Sequence, residues 1–387
     1  MASGAAAAAG RRVALVCPYS LSRPGGVQGQ VLGLARSLGR LGHDVTVFAP
    51  TDSPDDAPDG LPFVDTGHSL SVRANGSVAP VSLSPSAAVR ALRQLRALQP
   101  DVVHVHEPFA PGLPYALLAV RHLPPLVATF HRAGGSHLYT LASPVTRPLS
   151  RRIAVRCAVS EAAAATATAA LGGTFEVLFN GIETDRFEGV EPWPTEGPTV
   201  MFLGRHEERK GLAVLLEAWN RVLDGPDRHL GDTPTPVLWV AGDGPETAAL
   251  RRRFPPSAAV RWLGVIDEEE KVRRLVAADV LAAPALGGES FGMVLLEAMA
   301  ARTVVVASDI DGYRDAAGGH AVLAAPGDPS SLAAALVGVL GGDLAGGAGG
   351  RGSWLEAGSE RARRWSMTEL AVRYGALYDS VVVGGGS

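Results

Sequence analysis

Two glutamates, Glu289 and Glu297, are the residues of this sequence best suited to chemistry, in the segment 288–298 (GESFGMVLLEA). A glycine precedes the first and an apolar run contains the second, which predicts Glu289 in a loop and Glu297 pointing inward from the following helix. The backbone N–H groups of residues 290–293 lie at the predicted helix start, where they lack intrahelical partners and can bind a phosphate. A loop acid, a phosphate cradle and a second acid suit a sugar joined to a nucleoside diphosphate. The simpler interpretation is a capped helix with two solvated acids.

A pair of cations, Arg205 and Lys210, flanks the loop after another predicted strand. Arg205 stands at the end of the strand, and Lys210 comes just before a helix. Two fixed positive charges beside a helix start suit a diphosphate leaving group, whose negative charge grows in the transition state. The alternative is that both are surface charges around a turn.

The segment around Gly26 (PGGV, residues 24–27) lies between a predicted strand and a predicted helix. Glycine lets the backbone approach a ligand closely, and a helix N-terminus favours an anion. The segment is not the G-x-G-x-x-G of a dinucleotide site, and a tight structural turn explains it equally well.

Histidine and acidic residues follow several other predicted strands. His131 ends a strand and would point into a cleft, although a lone histidine is usually structural or solvated. His104 and His106 alternate along one strand and so face one side, but no third ligand stands at useful spacing, so we expect no metal site. Glu268 and Lys271 follow a strand where a base and ribose could bind. Their alternative interpretation is an exposed helix with an acidic first turn.

Alternating strands and helices determine where these residues lie. From residue 12 the sequence runs strand, glycine loop, helix, strand, which is a βαβ unit, and the same alternation restarts at residue 199. We therefore predict an α/β protein with two Rossmann-like domains whose parallel sheets face an inter-domain cleft. Ligands in such sheets bind beyond the carboxyl ends of the strands.

Four segments follow from this pattern. We predict a disordered tail over residues 1–11, one domain over 12–185, a second over 186–364, and a terminal helix with a tail over 365–387. Leu370, Tyr374 and Tyr378 form one stripe of the terminal helix, which we expect to pack back on the N-terminal domain. The glycine-rich stretch 341–352 predicts a loop.

Composition excludes several classes of protein. With 387 residues, 47% hydrophobic and 19% charged, the chain is typical of a globular protein of two domains. The net charge of -4 offers no electrostatic footprint for nucleic acid. Cys17 and Cys157 form no disulfide framework, which fits a reducing cytosol. No apolar run is long enough to span a membrane.

Together these motifs resemble the retaining, nucleotide-sugar-dependent glycosyltransferases of family 4, whose two-Rossmann-domain architecture is called GT-B. The most specific element is the E-x7-E pair, and the resemblance covers roughly residues 13–378. Within the family, the chain is similar to the actinobacterial branch that mannosylates phosphatidylinositol. The segments that carry this likeness include VCPYS (16–20), PGGVQ (24–28), NGSVA (75–79), HVHEP (104–108) and ATFH (128–131).

The resemblance implies four catalytic residues. Glu289 would hold the transferred hexose, Arg205 and Lys210 would bind the donor diphosphate, and His131 would lie by the anomeric centre. The whole nucleotide-sugar site would comprise Gly26, Arg205, Lys210, Glu268, Lys271, Glu289, Phe291, Gly292, Met293, Val294 and Glu297. The departing phosphate oxygen would help to take the acceptor proton, so neither a protein nucleophile nor a cofactor is required, and magnesium would be a stimulant only.

The resemblance also implies an acceptor site and a membrane contact. Tyr19, Asn75 and Ser77 would face the inositol of the acceptor. Three arginines of one predicted helix would contact anionic lipid: Arg90, Arg93 and Arg96. We therefore expect a cytoplasmic enzyme, peripheral on the cytoplasmic face of the membrane, that moves mannose from GDP-mannose to an inositol phospholipid.

Departures from the family pattern leave alternatives open. The arginines expected after segment 75–79 are absent, and the predicted lipid-binding helix has few cations. The acceptor could therefore be a soluble inositol phosphate, another lipid or a natural product. The donor could be a UDP-sugar, because the sequence does not fix the base. A different class would be a nucleotide-sugar epimerase or a catalytically silent nucleotide-sugar binder. An epimerase needs an acid–base cluster at the sugar carbon, which the chain lacks beyond His131, Glu289 and residues 104–107.

Overall fold

A computed structural model describes residues 10–23, 25–74, 77–132, 143–224, 234–289, 291–344 and 350–384. The chain forms two compact units, one ending at Gly181 and resuming at Met367, the other spanning Ile182–Ser366. The domain boundaries drawn from the sequence, at residues 185 and 364, concern the same junctions and stay a prediction.

A parallel sheet of seven strands is the centre of the first unit. The strands are β1 (Arg12–Val16), β2 (Asp44–Ala49), β3 (Phe63–Asp65), β6 (Val102–His106), β7 (Leu126–Phe130), β8 (Ile153–Ala158) and β9 (Glu176–Val177), and a separate antiparallel hairpin consists of β4 (Leu70–Ala74) and β5 (Ser77–Val81). The sheet order is β3-β2-β1-β6-β7-β8-β9. Because the order reverses between β1 and β6, the carboxyl ends of these two strands form the switch point at which such sheets bind ligands.

Among the described residues, five α-helices follow the strands of the first unit along the chain. They are α1 (Gly26–Arg40), α2 (Pro85–Leu98), α3 (Leu113–Ala119), α4 (Ser143–Ser150) and α5 (Glu161–Leu171). Local capping fixes two of their starts: the Ser84 hydroxyl accepts from the Ala87 N–H, and the Ser160 hydroxyl accepts from the Ala163 N–H. The helix that the sequence predicts around Arg90, Arg93 and Arg96 is α2.

The C-terminal helix, Met367–Gly384, also belongs to the first unit. It packs on α1 and β8 and buries Tyr374 and Tyr378. Arg11, at the end of the tail predicted as disordered, forms an ion pair with Asp379 of this helix at 2.8 Å. Residues 1–9 lie outside the described residues.

A parallel sheet of six strands is the centre of the second unit. The strands are β10 (Thr199–Leu203), β11 (Val237–Ala241), β12 (Val260–Gly264), β13 (Val280–Ala283), β14 (Val304–Ser308) and β15 (Val322–Ala324). Their order, β12-β11-β10-β13-β14-β15, is that of a nucleotide-binding Rossmann sheet, with its switch point between β10 and β13. The buried Trp219 and Trp239 lie in the two hydrophobic clusters of this unit.

Seven α-helices of the described residues complete the second unit. They are α6 (Leu212–Asp224), α7 (Thr247–Arg253), α8 (Glu268–Ala277), α9 (Met293–Ala300), α10 (Asp311–Ala317), α11 (Pro329–Leu340) and α12 (Gly350–Arg363). The prediction of a loop over residues 341–352 is wrong for the last three residues, which begin α12. No helix among the described residues is long and apolar enough to cross a membrane.

Candidate active site

The loops after β10 and β13 are locked together at the switch point of the second unit. Gly211 has φ +69°, and a Cβ added there would lie 1.9 Å from the carbonyl oxygen of Pro284, so only glycine fits. The N–H of Leu286 donates to the Arg209 carbonyl at 2.8 Å. This close backbone contact holds Lys210 and Glu289, which are far apart in sequence, in one place.

Glu289 binds two cations through a single oxygen. Its Oε1 lies 2.6 Å from Lys210 Nζ and 2.7 Å from Arg209 Nη1, and the side chain is 14% exposed. The other oxygen, Oε2, has no partner among the described residues and can accept a hydrogen bond from a hydroxyl group. Sequence reasoning selected Glu289 and Lys210 but missed Arg209, although two consecutive cations at 209–210 were a usable signal.

Glu207 connects the remaining predicted cation to this group. One of its carboxylate oxygens forms an ion pair with Arg205 Nε at 2.9 Å, and the other accepts a hydrogen bond from Arg209 Nε at 3.1 Å. Arg205 is 69% exposed, so its guanidinium is accessible to an anion while its Nε pairs with Glu207. Glu207 was not predicted, because an acid inside a basic loop is not by itself a signal.

A second ion-pair group surrounds Glu297 on α9. Lys271 Nζ lies 3.0 Å from Glu297 and 2.9 Å from Glu268, and Glu268 also pairs with Arg186 at 2.9 Å. Burial opposes the charge on Lys271, but the two carboxylates outweigh it and raise the pKa of the ammonium group. The predicted nucleotide-site residues Glu268, Lys271 and Glu297 therefore do form one cluster.

The start of α9 lies between Glu289 and Glu297. Gly292 has φ +66°, and a Cβ there would lie 2.9 Å from the Tyr313 ring, so glycine permits close packing. Among the described residues, no side chain caps this helix, whose first residues Met293 and Val294 are half-buried. The first N–H groups of a helix lack intrahelical partners and suit an anion. Phe291 contacts the Trp365 ring edge-on, and the predicted cradle residue at 290 lies outside the described residues.

In the first unit, His131 follows β7 and contacts the end of β6. Its backbone N–H donates to Glu107 Oε1 at 2.6 Å, and its Nε2 lies 2.8 Å from His106 Nδ1. Burial lowers the pKa of His131 to about 4, so the imidazole is neutral near pH 7. Burial raises the pKa of Glu107, although backbone N–H groups of His131 and Arg132 oppose the shift.

His104 and His106 form hydrogen bonds rather than a metal site. His104 Nδ1 lies 2.7 Å from the Tyr378 hydroxyl, and its Nε2 lies 2.7 Å from the Thr129 hydroxyl. In the part of the chain that the structure describes, no group of three or more His, Cys, Asp or Glu side chains could hold a metal ion. The expectation that no metal is required stays a prediction.

The predicted acceptor residues are described in part. Tyr19 bridges to Val81, and its pKa is raised first by burial and then by the charge of Glu107, which also binds His131. Asn75 lies outside the described residues. Ser77 starts β5, and nothing is described of its side chain. Gly26 is exposed as the first residue of α1, and an added Cβ would meet open space.

The predicted membrane helix is α2, whose buried side consists of small and apolar residues. Its three arginines are exposed and have no ion-pair partner among the described residues: Arg90, Arg93 and Arg96. The three cations lie exposed on one helix, and their contact with lipid stays a prediction.

Comparison with known proteins assigns the family. Residues 24–186 match the family profile described as Glycosyltransferase Family 4, and residues 197–341 match the profile Glycosyl transferases group 1. The phosphatidyl-myo-inositol mannosyltransferase of Mycobacterium tuberculosis H37Rv is 36% identical over 385 residues, which is 97% of this chain and 98% of that protein. The chain belongs to the family-4 glycosyltransferases.

Other relatives of this glycosyltransferase agree with the assignment. The phosphatidyl-myo-inositol mannosyltransferase of Propionibacterium freudenreichii is 37% identical over 79% of this chain and 78% of that protein. The glycogen synthase of Mycobacterium tuberculosis H37Rv is 29% identical over 82% of both chains. The family predicted from the sequence is confirmed.

Solved structures share the fold of this glycosyltransferase. A glycosyltransferase from Rickettsia africae superposes with a TM-score of 0.70 at 16% identity, covering 96% of this chain and 99% of the other. Anabaena HepE in complex with UDP superposes with a TM-score of 0.68 at 16% identity, covering 95% of this chain and 100% of the other. The predicted GT-B class with two Rossmann-like domains is confirmed.

Proposed function

We propose that this glycosyltransferase transfers mannose from GDP-mannose to phosphatidylinositol with retention of the anomeric configuration. The observation that carries the proposal is the 36% identity, over 97% of the chain, to a phosphatidyl-myo-inositol mannosyltransferase. The reaction would take place at the cytoplasmic face of the membrane, with the protein bound there peripherally.

The ion pairs of the second unit support the donor half of this proposal. The exposed Arg205 and the pair Lys210 and Arg209 offer three positive charges to a departing diphosphate. Glu289 would accept from a hexose hydroxyl through Oε2 while the two cations fix Oε1. The nucleoside would contact Lys271 and Glu297, and Gly26 would approach the diphosphate. Magnesium would add charge neutralisation on the diphosphate without being required.

Tyr19, His131 and Glu107 support the acceptor half. The Glu107 carboxylate binds the His131 backbone and influences the Tyr19 phenol, so the two predicted residues belong to one polar group. His131 would lie by the anomeric centre, and Tyr19, with Asn75 and Ser77, would face the inositol. The departing phosphate oxygen would take the acceptor proton.

A ligand panel tests the donor. We would measure thermal stabilisation by GDP, UDP, ADP, GDP-mannose and UDP-glucose. A ligand at about 100 times its dissociation constant raises the free energy of unfolding by roughly 2.7 kcal/mol. The proposal predicts a shift with GDP and GDP-mannose only, which the double variant Arg205→Ala/Lys210→Ala should lose. A shift confined to UDP or ADP compounds would contradict the proposed donor. The similarity to a glycogen synthase makes a nucleoside diphosphate glucose the second candidate.

Vesicle binding tests the membrane contact of α2. Each arginine near an anionic surface contributes on the order of 1 kcal/mol, so changing all three to glutamine should weaken binding roughly a hundredfold. The vesicles would contain phosphatidylinositol, and binding should fall as salt rises. A control variant with the same charge change replaces the three arginines of α7: Arg251, Arg252 and Arg253. Equal loss of binding in both variants would refute a specific role for α2.

A further inference from the structure

The ring of His106 lies directly behind the ring of His131. His106 Nδ1 is 2.8 Å from His131 Nε2, and the two ring centroids are 5.1 Å apart with the planes tilted by 27°. His106 is buried, and its second nitrogen, Nε2, has no hydrogen-bond partner among the described residues. The hydrogen bond between the two rings contains one proton, which only one of the two nitrogens can donate. The surroundings of His106 Nε2 indicate which nitrogen that is.

Two arrangements of protons are possible, with either His131 Nε2 or His106 Nδ1 as the donor of this hydrogen bond. If His131 donated from Nε2, neutral His106 would carry its own proton on Nε2, leaving a buried N–H group without an acceptor. If His106 donates from Nδ1, its Nε2 is an unprotonated nitrogen, which lacks only a donor. Orphaned N–H donors are the rarer defect in protein interiors, so the second arrangement is favoured.

His104 holds the His106 ring in this position. The two rings stack with centroids 4.5 Å apart, and both nitrogens of His104 are occupied by the hydroxyls of Tyr378 and Thr129. The Thr129 hydroxyl is bound in turn by Tyr374 at 2.7 Å. A ring fixed at both nitrogens gives His106 a rigid surface to stack on.

Burial also keeps this group of histidines uncharged. It lowers the pKa of His104 to about 3 and that of His106 well below the ordinary value. Each ring therefore has one proton near pH 7, and the hydrogen bond at one nitrogen determines which nitrogen carries it.

We propose that His106 is the positioning residue of His131. Its Nδ1–H donates to His131 Nε2, so that His131 carries its proton on Nδ1. That nitrogen has no partner among the described residues, and it presents a hydrogen-bond donor. If the protein has the proposed function, His131 donates a hydrogen bond to a substrate oxygen and is not the base that takes the acceptor proton.

Ring-nitrogen NMR tests the proton arrangement without any substrate. In protein labelled with 15N-histidine, His131 is assigned by its loss in His131→Asn. We expect a protonated, pyrrole-type Nδ1 and an unprotonated, pyridine-type Nε2 for His131 near neutral pH, with the same pattern at the nitrogens of His106. A protonated His131 Nε2 would overturn the proposal, whether or not the enzyme uses GDP-mannose.

Two variants of His106 test positioning. In His106→Asn the side-chain amide can still donate near the position of Nδ1, whereas His106→Leu removes the donor. We expect His106→Leu to lower kcat for mannose transfer by roughly tenfold to a hundredfold, because a misplacement on the order of 1 Å costs about that much. His106→Asn should restore most of kcat and keep the Nδ1–H form of His131.

The control variant is His122→Asn, at an exposed histidine with φ +60°, a conformation that asparagine tolerates. It should match the wild type in both measurements. Equal losses in His106→Asn and His106→Leu, or no change of the His131 ring pattern in His106→Leu, would overturn the positioning role.

Discussion

In the folded protein, His131 should stay uncharged at pH values well below those at which a histidine usually gains its second ring proton. Burial is the cause, because an imidazolium inside the unit loses its hydration. The pKa of His131 falls to about 4 from an ordinary value of 6.5. An activity that requires neutral His131 should therefore persist in mild acid.

The size of the effect follows from this pKa. At about pH 5, a group with a pKa near 4 is roughly one-tenth charged, whereas a group with the ordinary pKa is roughly 97% charged. The neutral fraction of His131 therefore differs by about 30-fold between the two cases at that pH.

The assay is kcat/KM for hexose transfer between about pH 5 and pH 8. Samples held at each pH and returned to neutral pH provide the control for irreversible inactivation. We expect the neutral fraction of His131 to contribute almost no fall in rate. A tenfold loss of kcat/KM per pH unit below about 6.5, reversed on return to neutral pH, would refute the buried, neutral assignment.

The same pKa values predict acid instability. His104, His106 and His131 have folded pKa values below 6.5, so they favour the folded state above pH 6.5 and lose this contribution as the pH falls towards the folded values. Each histidine lowers the free energy of unfolding by up to about 1.4 kcal/mol per pH unit of acidification between these pKa values. Glu107, whose pKa is raised, acts in the opposite direction. The melting temperature of His106→Asn should therefore fall less steeply with acid than that of the wild type; parallel curves would contradict this linkage.

Three further predictions concern single residues. Gly26→Ala should fold normally, since the added Cβ meets open space, but weaken donor binding; Gly29→Ala, in the same helix with the same open space, is the control, and equal affinities by calorimetry would contradict the assigned contact. Glu289→Gln should abolish transfer while GDP still binds at least as tightly, because a negative charge is removed beside the diphosphate; near-normal turnover would refute its role. Tyr378→Phe should lower the free energy of unfolding by about 1–3 kcal/mol, since a buried ring nitrogen loses its partner. Tyr115→Phe, at a hydroxyl with no hydrogen bond in the described part of the chain, is the control, and equal melting temperatures would argue against the effect.

The features that the sequence predicted are those with local causes. Strands buried on both faces are continuous apolar runs, so β10 and β13 were found along with the loops that follow them. The three arginines of α2 are exposed, whereas three alanines of the same helix are buried. Each of these signals lies within one or two turns of chain.

The features that the sequence did not predict depend on contacts between distant residues. Arg209 and Glu289 are 80 positions apart, and His104 and Tyr378 are 274 apart, so no local pattern links them. The start of α12 was predicted as a loop because glycine disfavours helix. The structure shows instead that α12 packs on α9, which lies about 50 residues earlier in the chain, so a contact between distant residues supports a helix there.

Transfer itself tests the central claim most directly. We would incubate the full chain with GDP-mannose and phosphatidylinositol vesicles, isolate the lipid product and determine its anomeric configuration by NMR, with Glu289→Gln as the inactive control. The account predicts a mannosylated phosphatidylinositol with the α configuration of the donor. A β-linked product would contradict retention. Absence of lipid product, while another donor–acceptor pair turns over, would contradict the proposed substrates.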